Sequence, residues 1–114
     1  MCSVAVFILE SETDYNYNNK TIRNFLDLIV LTYIRGNPPT TGYEIVRYLY
    51  KKFDLLLSPG TVYSTLYSLE RQNLVEGDTT QGKRVYKLTK KGEREIQITK
   101  DSIKAVISSI FPSY

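Results

Sequence analysis

Apolar residues recur along this chain at two periods, and the places where the period changes mark its elements. From Lys20 to Arg35, the positions Ile22, Phe25, Leu26, Ile29, Val30, Tyr33 and Ile34 fall on one broad helical face. That breadth predicts a helix covered on two sides, by its own core and by a partner chain. Gly36-Asn37-Pro38-Pro39 ends it, since proline cannot continue a helix and glycine suits its close. Thr40 or Thr41 caps a second helix running to about Phe53, with Ile45, Val46, Leu49 and Phe53 inward and Arg47, Lys51 and Lys52 outward. Asp54 to Leu57 reads as a linker. Ser58 as cap and Pro59 at the first position then open a third helix, whose inward stripe is Val62, Leu66 and Leu69. Its opposite face carries Gly60, Ser64, Tyr67 and Arg71, flanked by Thr61, Tyr63 and Ser68. A solvated helix face ordinarily carries Glu and Lys. Small hydroxyls, two tyrosines and one arginine instead make a face that can approach another polar surface closely and offer it many hydrogen bonds.

Past Asn73 the period shortens to two. Leu74 to Glu76 and Val85 to Leu88 are short extended runs, with Tyr86 and Leu88 sharing a face, and GDTTQGK between them supplies the turn. Lys83 and Arg84 follow the turn at once. Thr89 then caps a long last helix reaching about Phe111, in which Ile96, Ile103 and Ile110 are spaced by seven with Val106 and Ile107 beside them. A terminal helix with that seam has little of its own domain left to cover it, so the seam is expected to be a dimer interface. At the other end, Ser3 to Leu9 is a short apolar run compatible with strand or helix, and Glu10 to Asn19 is a polar connector.

A helix with a hydroxyl-rich outer face, followed by a basic hairpin, is the sequence form of a winged helix. In that arrangement the helix enters the DNA major groove and the hairpin, the wing, lies on the adjacent backbone. The competing reading is a contact surface for another protein of a larger complex. Lys51 and Lys52 read as a solvated face, with phosphate contact as the alternative. GTVYSTLYSLERQNLVEG followed by KRVYKLTKKGERE resembles the PadR-type winged-helix transcription regulators, whose signature runs G-T-x-Y, a leucine-spaced helix ending near G/N-L-V, a basic wing and Y-x-L-T-x-x-G. The resemblance covers about Phe25 to Ile96, with Thr41-Gly42-Tyr43-Glu44-Ile45 where the family usually has His-Gly-Tyr-x-Ile. It implies a homodimeric regulator binding double-stranded DNA. Members can also respond to small molecules near the dimer interface, but no residue here identifies such an effector.

The expected fold is therefore mainly α with a small β-hairpin: a winged helix-turn-helix with a C-terminal dimerisation helix. The expected divisions are an N-terminal extension (1–19), a winged-helix DNA-binding domain (20–89) and the dimerisation helix (90–114). The residues expected to meet DNA are Ser58, Gly60, Thr61, Tyr63, Ser64, Tyr67, Ser68, Arg71, Lys83 and Arg84.

Composition sharpens this reading at a few points. The length of 114 residues is that of one domain, with a modest core that oligomerisation would enlarge. The net charge of +3 is mild but polarised: residues 83–104 hold eight Lys/Arg against three Asp/Glu, while residues 1–19 hold Glu10, Glu12 and Asp14 and no basic residue. Such a distribution suits one anion-facing side. With no histidine, the commonest general base and metal ligand is absent. No cysteine pair or acidic cluster has metal-ligand spacing, and no glycine-rich phosphate loop follows a strand. Ser58 reads as a cap and not a nucleophile, and Glu93 and Glu95 as surface charges. The chain is thus expected to bind and not to catalyse, without cofactor or metal. The single Cys2 cannot form an internal disulfide, and Val4 to Leu9 is too short to span a bilayer, so a cytoplasmic protein is expected.

Overall fold

The computed structural model describes residues 19–112; the expectations for the apolar run and connector before them lie outside the described residues. The order of elements is α1 (Asn19–Asn24), α2 (Leu26–Gly36), β1 (Thr40–Thr41), α3 (Gly42–Phe53), α4 (Pro59–Arg71), β2 (Val75–Thr80), β3 (Lys83–Leu88) and α5 (Lys90–Ile110). Caps set where three of the helices start. Thr41, Ser58 and Thr89 have extended backbones, and their side-chain oxygens accept the N–H of Glu44, Thr61 and Gly92. Each thereby satisfies one of the orphan donors of a first helical turn. Left-handed residues set two of the ends. Asp54 (φ 54°) closes α3 and Asn73 (φ 63°) follows α4, both residue types that tolerate this conformation at modest cost.

The expected helix from Lys20 to Arg35 is two segments. Phe25 interrupts it, with φ −105° and ψ 14°. Its N–H is shared between the carbonyls of Thr21 (3.2 Å) and Ile22 (3.1 Å), a local tightening of the ladder where α1 gives way to α2. Ile22 is buried in the core, while Phe25, counted on the apolar face, lies at the surface.

The sheet also exceeds the expected hairpin. It has three antiparallel strands in the order β1-β3-β2. Two residues, Thr40 and Thr41, pair with Tyr86 and Val85. Thr40 is fully buried, and its hydroxyl donates to the Asn37 carbonyl. The hairpin itself is longer than expected, with Val75 paired to Leu88 at one end and Thr80 to Lys83 at the other. Only Gln81 (φ 52°) and Gly82 (φ 77°) form the turn, the positive-φ pair that a two-residue hairpin turn requires.

One core collects residues from every helix and the sheet. Val62, Leu66 and Leu69 of α4 meet Ile45 and Leu49 of α3, Val30, Leu31 and Ile34 of α2, and Tyr86 of β3. The linker contributes as well. Leu55 and Leu57 are buried while Leu56 between them is 73% exposed, the alternation of an extended segment. The start of α5 is tied to the base of the wing: Thr89 Oγ1 donates to the Asn73 carbonyl (2.7 Å) and Lys91 Nζ to the Gln72 carbonyl (2.9 Å). From that anchor only Ile96 of the seam enters the core, 2% exposed. Ile103 is half-buried, and Val106, Ile107 and Ile110 lie open. The result is a mainly helical winged helix-turn-helix from which the last helix projects.

Candidate nucleic-acid interface

Helix α4 presents the face that its sequence assigns outward. Ser58 Oγ accepts the Thr61 N–H at 3.2 Å and lies 3.0 Å from Thr61 Oγ1. Pro59 takes the first helical position, where no donor is lost. Val62, Leu66 and Leu69, at 0–1% exposure beneath it, fix which face of the helix is turned outward. Gly60, Thr61, Ser64, Tyr67, Ser68 and Arg71 are all exposed. Tyr63, 43% exposed, leans its ring on Gly42, where an added Cβ would stand 2.5 Å from Cε1. The Arg71 guanidinium sits 5.7 Å from the centre of the Tyr67 ring, an exposed cation–π pair on the outer face.

Two concavities flank this face. One, an open polar hollow of about 580 Å³, is lined by Ser58, Gly60, Thr61, Ser64, Thr65 and Ser68, with Asp27 of α2 across from them. The other, about 470 Å³, lies between α4 and the wing and is lined by Tyr63, Tyr67, Glu70, Arg71, Arg84 and Tyr86.

The two wing cations have different settings. Lys83 is exposed beside the turn, opposite Thr80. Arg84 stands one residue further from the turn, opposite Thr79, and does not extend from the wing tip. Its Nη2 donates to Glu70 Oε2 at 2.6 Å, an ion pair from wing to α4. Its Cζ is also 5.9 Å from the Tyr86 ring centre. Burial pushes the Tyr86 phenol above its ordinary value, against the lowering effect of the Arg84 hydrogen bond. Thus eight outer-face residues of α4 with its cap (Ser58, Gly60, Thr61, Tyr63, Ser64, Tyr67, Ser68, Arg71) share one surface, Lys83 stands apart at the wing turn, and Arg84 is folded into the groove between them.

Asp27, Thr65, Glu70 and Tyr86 line these hollows without being among the residues expected to meet DNA. The two-residue period of β3 does put Arg84 and Tyr86 on one face. Nothing local, however, announces that this face turns toward Glu70. Among the described residues no group of three His, Cys, Asp or Glu is placed to hold a metal ion, and no helix is long and apolar enough to cross a membrane.

Solved structures with this fold are numerous. A transcriptional regulator from Clostridium thermocellum superposes with a TM-score of 0.73 at 20% identity, over 84% of this chain and 96% of that one. A PadR family transcriptional regulator from Eggerthella lenta gives 0.69 at 23% identity, over 82% and 84%. F93 from STIV, a winged-helix DNA-binding protein, gives 0.58 at 20% identity, over 81% and 96%. Comparison with curated protein sequences finds no match. The family model of the transcriptional regulator PadR-like family matches residues 30–98, which is more than half of the 114 residues and spans α3, α4, the wing and the anchored start of α5. The chain belongs to the PadR-like family of transcriptional regulators.

Proposed function

We propose that this protein regulates transcription as a homodimer that binds double-stranded DNA sequence-specifically, with α4 in the major groove and the wing against the backbone. The observation that carries this reading is the outer face of α4, on which exposed hydroxyls, a tyrosine and an arginine replace the usual Glu and Lys. Hydroxyls and Arg are groups that hydrogen-bond base edges and phosphates. In this reading Ser64, Tyr67 and Arg71 meet the groove floor. Ser58, Thr61 and Lys83 hold the flanking phosphates.

Support for the dimer comes from α5 and its C-cap, where Val106, Ile107, Ile110 and Phe111 are 38–59% exposed. A second copy of that helix would cover them. Two recognition helices about 34–36 Å apart then reach successive major grooves on one face of a palindromic site. The protein works where its DNA lies, in the cytoplasm, by binding and without turnover.

Selection of duplexes from a random pool, followed by salt-varied titration of the winner, tests the proposal. Ser64→Ala and Tyr67→Ala should each melt like the parent yet lose about 1–3 kcal/mol of affinity for the selected duplex, if each reads a base edge. Failure to enrich any duplex would assign the face of α4 to a protein partner instead.

A further inference from the structure

Glu70 is an acid standing next to a surface that the proposed function turns toward a polyanion. It occupies the last turn of α4, and its carboxylate accepts Arg84 Nη2 at 2.6 Å. Three features of the wing bring the guanidinium there. The alternation of β3 points Arg84 and Tyr86 to the same side. Gly77 lies directly across from Tyr86, one diagonal step from Arg84. The guanidinium leans over that glycine, where a Cβ would stand 2.6 Å from Nη2 and 2.8 Å from Cζ. The cation is thus held between a carboxylate, a tyrosine ring and bare backbone.

A wing arginine left free meets any phosphate, and a phosphate contact carries no sequence information. Paired to Glu70, it must abandon that partner to reach DNA, and in doing so it leaves a bare carboxylate facing the duplex. We infer that Glu70 is a positioning residue that withholds Arg84 from indiscriminate phosphate contact, lowering affinity for random duplex and so raising discrimination. The inference rests on the DNA-binding reading above. Because the pair is partly exposed, 45% for Arg84 and 31% for Glu70, the restraint is a bias and not a lock.

Glu70→Gln keeps the shape and an acceptor oxygen and removes the charge. The full chain, this variant, Arg84→Ala and the double variant are titrated with a fluorescent random-sequence duplex at several salt concentrations. Glu70→Gln should bind about two- to fivefold tighter than the parent, the range an exposed ion pair can impose. Its salt slope should steepen by up to about one unit, the change for one phosphate contact wholly gained. In the Arg84→Ala background the same change should leave the slope where it was. An equal gain in both backgrounds would mean that Glu70 merely repels DNA, and would overturn the inference. So would a parent that binds duplex and a Glu70→Gln variant identical to it, with the DNA-binding reading left standing. A parent that binds no duplex at any salt removes both. Should Glu70→Gln melt early, Glu70→Ala removes the same charge with a strong helix former. It should steepen the slope in the same sense, and an unchanged slope overturns the inference equally.

Discussion

Gly60 occupies the second position of α4, exposed, with only Ser58 Oγ at 3.9 Å near the place a Cβ would take and no left-handed φ. Nothing within the protomer requires glycine there, and alanine is the better helix former by up to about 1 kcal/mol. A partner approaching as closely as the proposed duplex would require it. Gly60→Ala should therefore hold or raise the melting temperature while weakening duplex binding, measured side by side on one preparation. A lowered melting temperature would put the reason for the glycine inside the fold. At this scale the sequence was legible wherever the chemistry is local. The caps at Ser58 and Thr89 announce themselves because each oxygen serves an amide three residues on. The Arg84–Glu70 pair did not, since its partners are 14 residues apart on two elements that must fold before they meet.

Elements were legible in proportion to their length and periodicity. Helix α4, with its cap, its proline and its stripe of Val62, Leu66 and Leu69, could be assigned face by face. Strand β1 could not: two threonines carry no period, and only the tertiary pairing with Tyr86 and Val85 makes them a strand. The wing is longer than its sequence suggests because Gly77 and Thr79 look like turn residues, whereas the pairing carries them into β2. The break at Phe25 leaves no mark in an apolar face that continues across it. Where α5 docks on the wing, Gly92 is buried, and an added Cβ would meet the Leu74 carbonyl oxygen and stand 2.7 Å from Leu88 Cδ1. Backbone on one side leaves little room to give. Gly92→Ala is expected to destabilise by about 1–3 kcal/mol, the range for overpacking, as read from urea unfolding. Stability within a few tenths of the parent's would show that α5 can slide on the wing.

At the scale of the whole molecule, the seam of α5 divides. Ile96 was expected at the dimer interface with the rest of the seam, yet it is 2% exposed and already committed to its own core. Ile103 lines a cavity with Leu28, Leu31 and Leu69 of the same chain. In the proposed dimer, what remains for a second copy would begin at Val106, and a heptad count alone cannot find that division, because it does not know where the domain ends. Val106→Glu, at a position 52% exposed in the single chain, should leave the monomer's fold intact. It should shift sedimentation from dimer to monomer, since a buried unpaired charge is costly. A variant that still sediments as a full dimer would move the interface to another surface, with the α1–α2 face next in line.

The strand order β1-β3-β2 leaves β2 as a long outer strand, and regulators gathered on one stretch of DNA would hold such edges at high local concentration. An open edge is a template on which another chain's strand can add, the first step toward aggregation. Here the edge carries Glu76 and Asp78, both exposed, and the Thr79 N–H is already occupied by Asp78 Oδ1 at 2.8 Å. Two wings brought edge to edge would oppose like charges and find one donor taken. In the proposed complex the acids of β2 would set neighbouring wings against joining strand to strand.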